Sequence, residues 1–371
     1  MARLGDVATY INGYAFRPSD WSDTGLPIIR IQDLTGNSYQ ANRYSGEYDK
    51  KYEVLTGDVL ISWSASLGVF VWQGEKAVLN QHIFKVVFDK VPVNKSFFIH
   101  QVDNILANAS SETHGATMKH LTKPVFDALP FYLPDKKKQE EIAAVLDKVS
   151  DLIALRKQQL AKLDELVKAR FVEMFGDIKI NPYGFGKKPL KETCTVVTGN
   201  TPSRSVPEYY GDSVEWIKTD NIVAGQLYPS QAIEYLSDEG MKAGRTVEKG
   251  TILMACIAGS IASIGRVCIT NRKVAFNQQI NAIIPKEYNL LFLHVMLQLS
   301  KEYLVAEINM ALKGILSKSK LEGKMFIVPP MDDQKRFASF VAQVDKSKSV
   351  VQSSLDKLET LNSALMQEYF G

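Results

Sequence analysis

No stretch of these 371 residues holds about 18 consecutive apolar residues, the run a membrane helix needs. The opening MARLGDVATY has no apolar leader core, so neither export nor a membrane partner is expected. Cysteine is scarce. Cys194, Cys256 and Cys268 all lie in the second half, no CxxC spacing occurs, and three thiols cannot all pair with one another. A reduced, cytoplasmic setting is the expectation. Signatures of catalysis are missing as well. There is no GxGxxG loop after a strand, no GxxxxGK[ST] phosphate loop and no GxSxG elbow. The five histidines (His82, His100, His114, His120, His294) are scattered, and the six-residue step from His114 to His120 is not a ligand spacing on one helix face, so no metal site is expected. Asn181-Pro182-Tyr183-Gly184 starts like an adenine-methyltransferase motif but lacks the second proline and follows a helix end, so it reads as a turn. No reaction is expected of the chain itself.

A strong charge is also absent. The 44 Lys and Arg against 41 Asp and Glu leave +3. The balance is uneven along the chain: 12 against 14 in residues 1–135, 9 against 7 in 136–175, 18 against 14 in 176–330, and 5 against 6 in 331–371. The third segment is therefore mildly basic, which is consistent with nucleic acid but not diagnostic of it, solvated surface lysines being the more ordinary reading.

What the sequence does have is a repeat. Residues 139–176 (QEEIAAVLDKVSDLIALRKQQLAKLDELVKARFVEMFG) align without a gap on residues 334–371 (QKRFASFVAQVDKSKSVVQSSLDKLETLNSALMQEYFG) at an offset of 195. Shared pairs include Gln139/Gln334, Ala143/Ala338, Val149/Val344, Leu160/Leu355, Leu163/Leu358, Phe175/Phe370 and Gly176/Gly371. Within each copy, core-type positions step by four and three. The first runs Ile142, Leu146, Val149, Ile153, Arg156, Leu160, Leu163, Val167, Arg170, Met174; the second runs Phe337, Val341, Val344, Lys348, Val351, Leu355, Leu358, Asn362, Leu365, Tyr369. This is heptad spacing. It predicts two helices of roughly 54 Å, each too long and too narrowly striped to bury itself alone. The simplest pairing is an antiparallel coiled coil, with Arg156, Arg170, Lys348 and Asn362 setting its register or facing a partner. Aspartates after prolines (Pro134-Asp135; Pro330, then Asp332) suit the helix starts, and Gly176 suits a left-handed end.

The stretches before each helix read as β-rich. Leu26–Leu34 and Val214–Ile222 look like strands; Val54–Ser62 matches Val247–Ala255, and Asn80–Val87 matches Asn277–Ile284. Offsets drift from 186 (Gly13/Gly199) to 193 (Gly57/Gly250) to 197 (Asn80/Asn277), so the scaffold repeats while loop lengths differ. Four segments follow: 1–135 and 177–330 globular, 136–176 and 331–371 helical. The fold class is α+β, with two β-rich domains in pseudo-two-fold arrangement separated by two long antiparallel helices.

These residues resemble the specificity subunit of type I restriction–modification enzymes. The likeness rests on LPDKKKQEEIAAVLDKVSDLI and VPPMDDQKRFASFVAQVDKSK, on TGDVLIS and EKGTILMA, on LNQHI and FNQQI, and on the openings LGDVATYINGYAF and LKETCTVVTGNTP. It spans essentially the whole chain, and the duplication makes it specific. Lys136-Lys137-Lys138 and Asp332-Asp333 depart from it, standing where such proteins often carry Leu-x-Glu. The resemblance implies two target recognition domains, each reading half of a split double-stranded DNA site. The helices would serve as spacer and dock two methyltransferase subunits, restriction subunits joining through the complex. S-adenosylmethionine, ATP and magnesium would be held by those partners, and no cofactor by this chain. The rival reading is a coiled-coil scaffold whose globular ends bind proteins; a self-contained DNA enzyme is disfavoured by the missing motifs.

Two different half-sites need different readers, so residues shared by both halves should be scaffold, and residues that differ at matched places should meet bases. Asn80-Gln81 and Asn277-Gln278 recur in both, which favours a turn-stabilising role over adenine reading. The candidates for DNA contact are Tyr14, Phe16 and Arg17 opposite Thr201, Ser203 and Arg204, and Arg30, Gln32 and Asp33 opposite Lys218, Asp220 and Asn221. Further pairs are Ser62, Ser64 and Ser66 opposite Ser260 and Ser263, and Lys119 and His120 opposite Lys318, Ser319 and Lys320, the last set suited to phosphates.

Overall fold

A computed structural model describes residues 1–36, 42–112, 122–306, 308 and 314–371, with backbone alone at 110–112. The chain divides into two units, residues 1–157 with 353–371, and residues 158–352. Among the described residues no helix is long and apolar enough to cross a membrane.

Two four-stranded sheets build the first unit. One is antiparallel throughout, in the order Thr9–Asn12, Ile83–Val87, Val59–Ser62, Gly68–Val71. The other runs Arg43–Tyr44, Leu26–Ile29, Ala77–Leu79, Glu53–Val54, and its central pair is parallel. The second unit has the same two sheets. Cys194–Thr198, Ile280–Pro285, Ile252–Ala255 and Val267–Ile269 form the antiparallel one. Tyr235–Leu236, Tyr210–Ile217, Val274–Phe276 and Thr246–Val247 form the other, again with a parallel central pair. A repeat that drifts in offset at the loops thus keeps one strand order. The central strands Val59–Ser62 and Ile252–Ala255 are buried at all four positions, as strands covered on both faces must be.

The long helices run Lys136–Phe175 and Met331–Phe370. Asp135 caps the first, its Oδ1 accepting the Lys138 N–H at 2.8 Å. At the second start the capping position falls on Pro330, whose carbonyl takes the Asp333 and Gln334 N–H groups, while Asp332 and Asp333 lie inside the first turn, where negative charge suits the helix dipole. Gly176 closes the first helix in the left-handed conformation, φ +72°.

In the first unit Ile142, Leu146 and Val149 are buried, and Leu365, Met366, Tyr369 and Phe370 pack on the core that Ile142 and Leu146 join. In the second, Phe171, Phe175, Phe337 and Val341 share one core. Off the stripe, Leu155 and Val350 stay out, 57% and 71% exposed, whereas Phe171 and Phe175 are fully buried. The pairing is antiparallel in each unit. Arg156 meets Ser354 where Ile142 shares a cavity wall with Tyr369; Asp164 meets Lys348 where Phe171 meets Phe337.

Each helix is tied to its own unit by the same device. Gln139, 2% exposed, accepts the Asn94 N–H at 2.8 Å and donates to the Pro134 carbonyl at 2.8 Å. Gln334, 1% exposed, accepts the Asn289 N–H at 2.8 Å and donates to the Pro329 carbonyl at 2.9 Å. All three members are displaced by 195 residues (334 − 139, 289 − 94, 329 − 134). The turn at 181–184 is as expected: Gly184 donates to the Asn181 carbonyl at 3.0 Å, and Asn181 sits at φ +52°.

Candidate nucleic-acid interface

The two strands expected to run through Leu34 and Ile222 stop early, at Ile29 and Ile217, and this is a correction to the sequence reading. Ile31–Leu34 is a helical turn and Thr219–Asn221 a 3₁₀ turn. The cause is local. Asp33 Oδ2 accepts the Arg30 N–H at 2.8 Å, and Asn221 Oδ1 accepts the Lys218 N–H at 2.9 Å, so a polar side chain three residues on competes for the ladder and turns the chain. Asp33 and Asn221 are therefore engaged by their own backbone. Arg30 and Lys218 are left at matched corners.

Around the first corner the structure gathers Phe16, Trp21, Arg30, Gln32, Asn80, Gln81 and His82 into a groove of about 260 Å³. The Arg30 guanidinium lies 5.4 Å from the Trp21 ring centre, a cation on an aromatic face. Phe16 extends the aromatic surface through Tyr14 at 4.9 Å and Tyr44 at 5.0 Å. Arg17 stands exposed, its N–H bound to Asp20 at 2.7 Å. Asn80 Oδ1 accepts the Gln81 N–H at 2.6 Å and Asn277 Oδ1 the Gln279 N–H at 3.1 Å, in keeping with turn stabilisation.

The second corner is more tightly organised. Arg204 lies 4.4 Å from the Tyr210 ring centre and 5.2 Å from that of Trp216; Lys218 lies 5.0 Å from Trp216. Both cations converge on Glu234, Arg204 at 2.5 Å and Lys218 on the other carboxylate oxygen. The Lys218 bond first, with Arg204 added, holds the Glu234 carboxyl below the usual carboxylate range. Beside them Thr201 meets Gln278, Ser203 bonds to Ser205 at 2.8 Å, and Asp220 is exposed.

Other expected contacts fare unevenly. Ser62 and Ser64 do not reach the surface: they are 0% and 7% exposed, and Ser62 Oγ turns back onto the Ser64 carbonyl because its strand is covered on both faces. Ser66 is exposed. Ser260 and Ser263 bond to each other at 3.1 Å. Lys318 pairs with Glu322 at 3.6 Å, Ser319 with Ser317 at 3.2 Å, and Lys320 is exposed. Lys119 and His120 lie outside the described residues.

Two of the four polar interruptions on the helices, Arg156 and Lys348, reach across. Arg156 donates to Ser354 at 3.2 Å and Lys348 pairs with Asp164 at 2.7 Å, each across to the other helix. Arg170 pairs along its own helix with Glu173 at 2.7 Å and lies 5.9 Å from the Phe340 ring. Asn362 Oδ1 is buried with no hydrogen-bond partner among the described residues.

Sequence reasoning missed Trp21, Tyr210, Trp216 and Glu234. Trp216 stood in a matched strand next to Lys218 and could have been named; Glu234 reaches its partners from 16 and 30 residues away, with no local signal. Chemistry-bearing groups are elsewhere quiet. Burial pushes the thiols of Cys194, Cys256 and Cys268 up to about 11, 12 and 12, and among the described residues no His, Cys, Asp and Glu group could hold a metal.

Comparison with known proteins points to one family. The family model described as "Type I restriction modification DNA specificity domain" matches residues 1–165 and 182–360. The chain is similar to the type I restriction enzyme EcoBI specificity subunit of Escherichia coli, 23% identical over 405 aligned positions covering 99% of this chain and 84% of that protein. It is similar to the MjaVIII specificity subunit of Methanocaldococcus jannaschii, 20% identical over 391 positions covering 99% and 90%. The crystal structure of a type I restriction–modification S subunit from M. genitalium superposes with a TM-score of 0.60 at 12% identity, over 100% of this chain and 95% of that one, a likeness of fold.

Proposed function

Since this chain belongs to the family of type I restriction–modification specificity subunits, we propose that its two units read the two halves of one bipartite duplex DNA target. The observation that carries the reading is the matched corner. One scaffold, with the same strand order and the same Gln–Asn–Pro tie, presents Arg30 on Trp21 in the first unit and Lys218 and Arg204 on Trp216 and Tyr210 in the second. Like scaffolds with unlike tips are what two half-sites of different sequence require. Cations stacked on aromatic faces give both attraction to phosphates and a planar, oriented donor for base edges.

In this reading the helices fix the separation of the half-sites and dock two methyltransferase subunits, and restriction subunits join the complex. S-adenosylmethionine, ATP and magnesium belong to those partners. The chain supplies sequence choice and no bond-making step. Arg156 and Lys348 keep the helix pair in register.

The test uses the assembled complex of this chain with its methyltransferase subunit. Duplex libraries with randomised half-sites and varied spacers are selected for methylation. Two unlike half-sites at one fixed spacing are expected. Replacing residues 1–135 by another such domain should change one half-site only. Methylation indifferent to spacer length would overturn the spacing role, and a complex that binds duplex without salt dependence or sequence choice would favour the protein-binding scaffold.

A further inference from the structure

The corner of the second unit carries an arrangement the first lacks. Glu234 stands between two cations, and all three side chains remain open to solvent, Arg204 57%, Lys218 36% and Glu234 32% exposed. Among the described residues no carboxylate is paired with the Arg30 guanidinium. The first unit therefore offers an arginine beside the neutral amides of Gln32 and Gln81, and the second offers two cations with a carboxylate between them.

The acceptor is held still. The Glu234 carbonyl takes the Trp216 N–H at 2.9 Å. Two residues earlier, the Ala232 N–H donates to Glu215 at 2.7 Å, and Glu215 is gripped by Arg272 through bonds of 2.5 and 2.7 Å. Asn221 Nδ2 holds the Gln231 carbonyl at 3.0 Å. Beneath the cations, the Trp216 and Tyr210 rings limit where the Arg204 and Lys218 heads can go. A group held at backbone and side chain, with its charge partners stacked, is preorganised for binding.

The major-groove edge of a G·C pair presents the guanine N7 and O6 acceptors beside the cytosine N4 donor; A·T presents an acceptor, a donor, an acceptor and a methyl group. Two cationic donors flanking one carboxylate run donor, acceptor, donor, and so complement the acceptor–donor–acceptor edge of the second pattern. With the carboxylate absent, arginine and lysine would turn to phosphates, which carry no sequence information.

We propose that Glu234 is the specificity-positioning residue of the second unit, setting Arg204 and Lys218 on the adenine N7 and thymine O4 acceptors of an A·T pair while its own carboxylate accepts from the adenine amino group. The proposal rests on the reading of the second unit as a DNA reader. It also predicts that the first unit, whose corner has no carboxylate between two cations among the described residues, discriminates by other means.

The experiment compares wild type, E234Q and the double variant R204A/K218A, each assembled with the methyltransferase subunit, by half-site selection and by salt-dependent duplex binding. Glu234→Gln keeps shape and removes the charge. Wild type is expected to prefer A·T at one position of the second half-site by about 10-fold or more. In E234Q that preference falls several-fold at that position alone, the first half-site is unchanged, and the dependence of log affinity on log salt steepens by about one, because a released cation now neutralises a phosphate. A merely structural Glu234 would lower the melting temperature and leave base choice and salt slope as they are. Unchanged preference in E234Q, or a loss spread over both half-sites, overturns the proposal and leaves the DNA reading standing. Full affinity and full specificity in R204A/K218A would overturn the DNA reading of this corner itself.

Discussion

Gly13 approaches Asn80 so closely that a methyl group on it would sit 2.1 Å from the Asn80 carbonyl oxygen. Gly199 stands in the same relation to Asn277, at 2.2 Å. Both obstructing atoms are backbone, in a segment pinned by the Asn80 N–H to Ile29 and the Asn277 N–H to Ile217, each at 3.1 Å. Gly13→Ala and Gly199→Ala are therefore each expected to cost more than about 2 kcal/mol, since neither side can yield without breaking a parallel strand pair. Urea unfolding checks this, and a midpoint within error of wild type would refute it.

Truncation of Gln139 or Gln334 to Ala should cost about 1–3 kcal/mol each, because a half-buried backbone N–H, of Asn94 or Asn289, loses its acceptor. Hydrogen exchange is the sharper measurement. Exchange at Asn94 should accelerate in Q139A alone, and at Asn289 in Q334A alone. Acceleration of both amides in either variant would show that the ties do not act separately.

Asn362→Leu should stabilise the protein by about 1 kcal/mol. A buried carbonyl oxygen without a partner is exchanged for an apolar group in an apolar stripe. Thermal unfolding reports the gain, and affinity for the methyltransferase subunit should be unchanged. A loss of that affinity would assign Asn362 to the docking surface instead. Arg156→Met, which removes the bond to Ser354, should loosen helix register, read as altered spacer preference.

His294 supplies a pH dependence. It is 3% exposed, burial pushes its imidazole down to about 4 with the nearby Lys348 charge adding to the shift, and the Val267 backbone opposes it in part. The folded value lies below the ordinary 6.5, so below pH 6.5 the unfolded chain binds a proton that the folded chain refuses. Stability is complete above about pH 6.5 and falls as the pH drops toward 4, by about 3 kcal/mol in all. His294→Leu should flatten that decline without lowering stability at pH 8. An acid profile identical to wild type would sink the assignment.

The sequence made some of this legible because the signal was periodic. Heptad spacing marks Ile142, Leu146, Val149, Phe337 and Val341, which are buried, but it does not mark Phe171 and Phe175, which are buried off the stripe. Gln139 and Gln334 were visible as a matched pair, though their partners 45 residues back were not. The interface was read less well. Asp33 and Asn221 looked like strand residues offering base contacts, since propensity could not show that their side chains would capture the Arg30 and Lys218 amides. Ser62 alternates as if half-exposed, yet its strand is covered on both faces, a property of tertiary packing. Glu234 was invisible because what matters about it is the company it keeps in space.

The first unit takes part of its core from Leu365, Met366, Tyr369 and Phe370, near the far end of the chain. Between Lys157 and Ser353 another 195 residues (352 − 157) have to be made. At about 5–20 residues per second that is roughly ten to forty seconds. Throughout that interval the apolar wall around Ile142 and Phe97 waits for its last covering segment, while the second unit, contiguous from 158 to 352, can close without delay. Birth order and completion order are thus reversed. The half of the protein that is made first is finished last, and the nascent chain carries an open apolar seam that a chaperone or an early-arriving subunit could occupy.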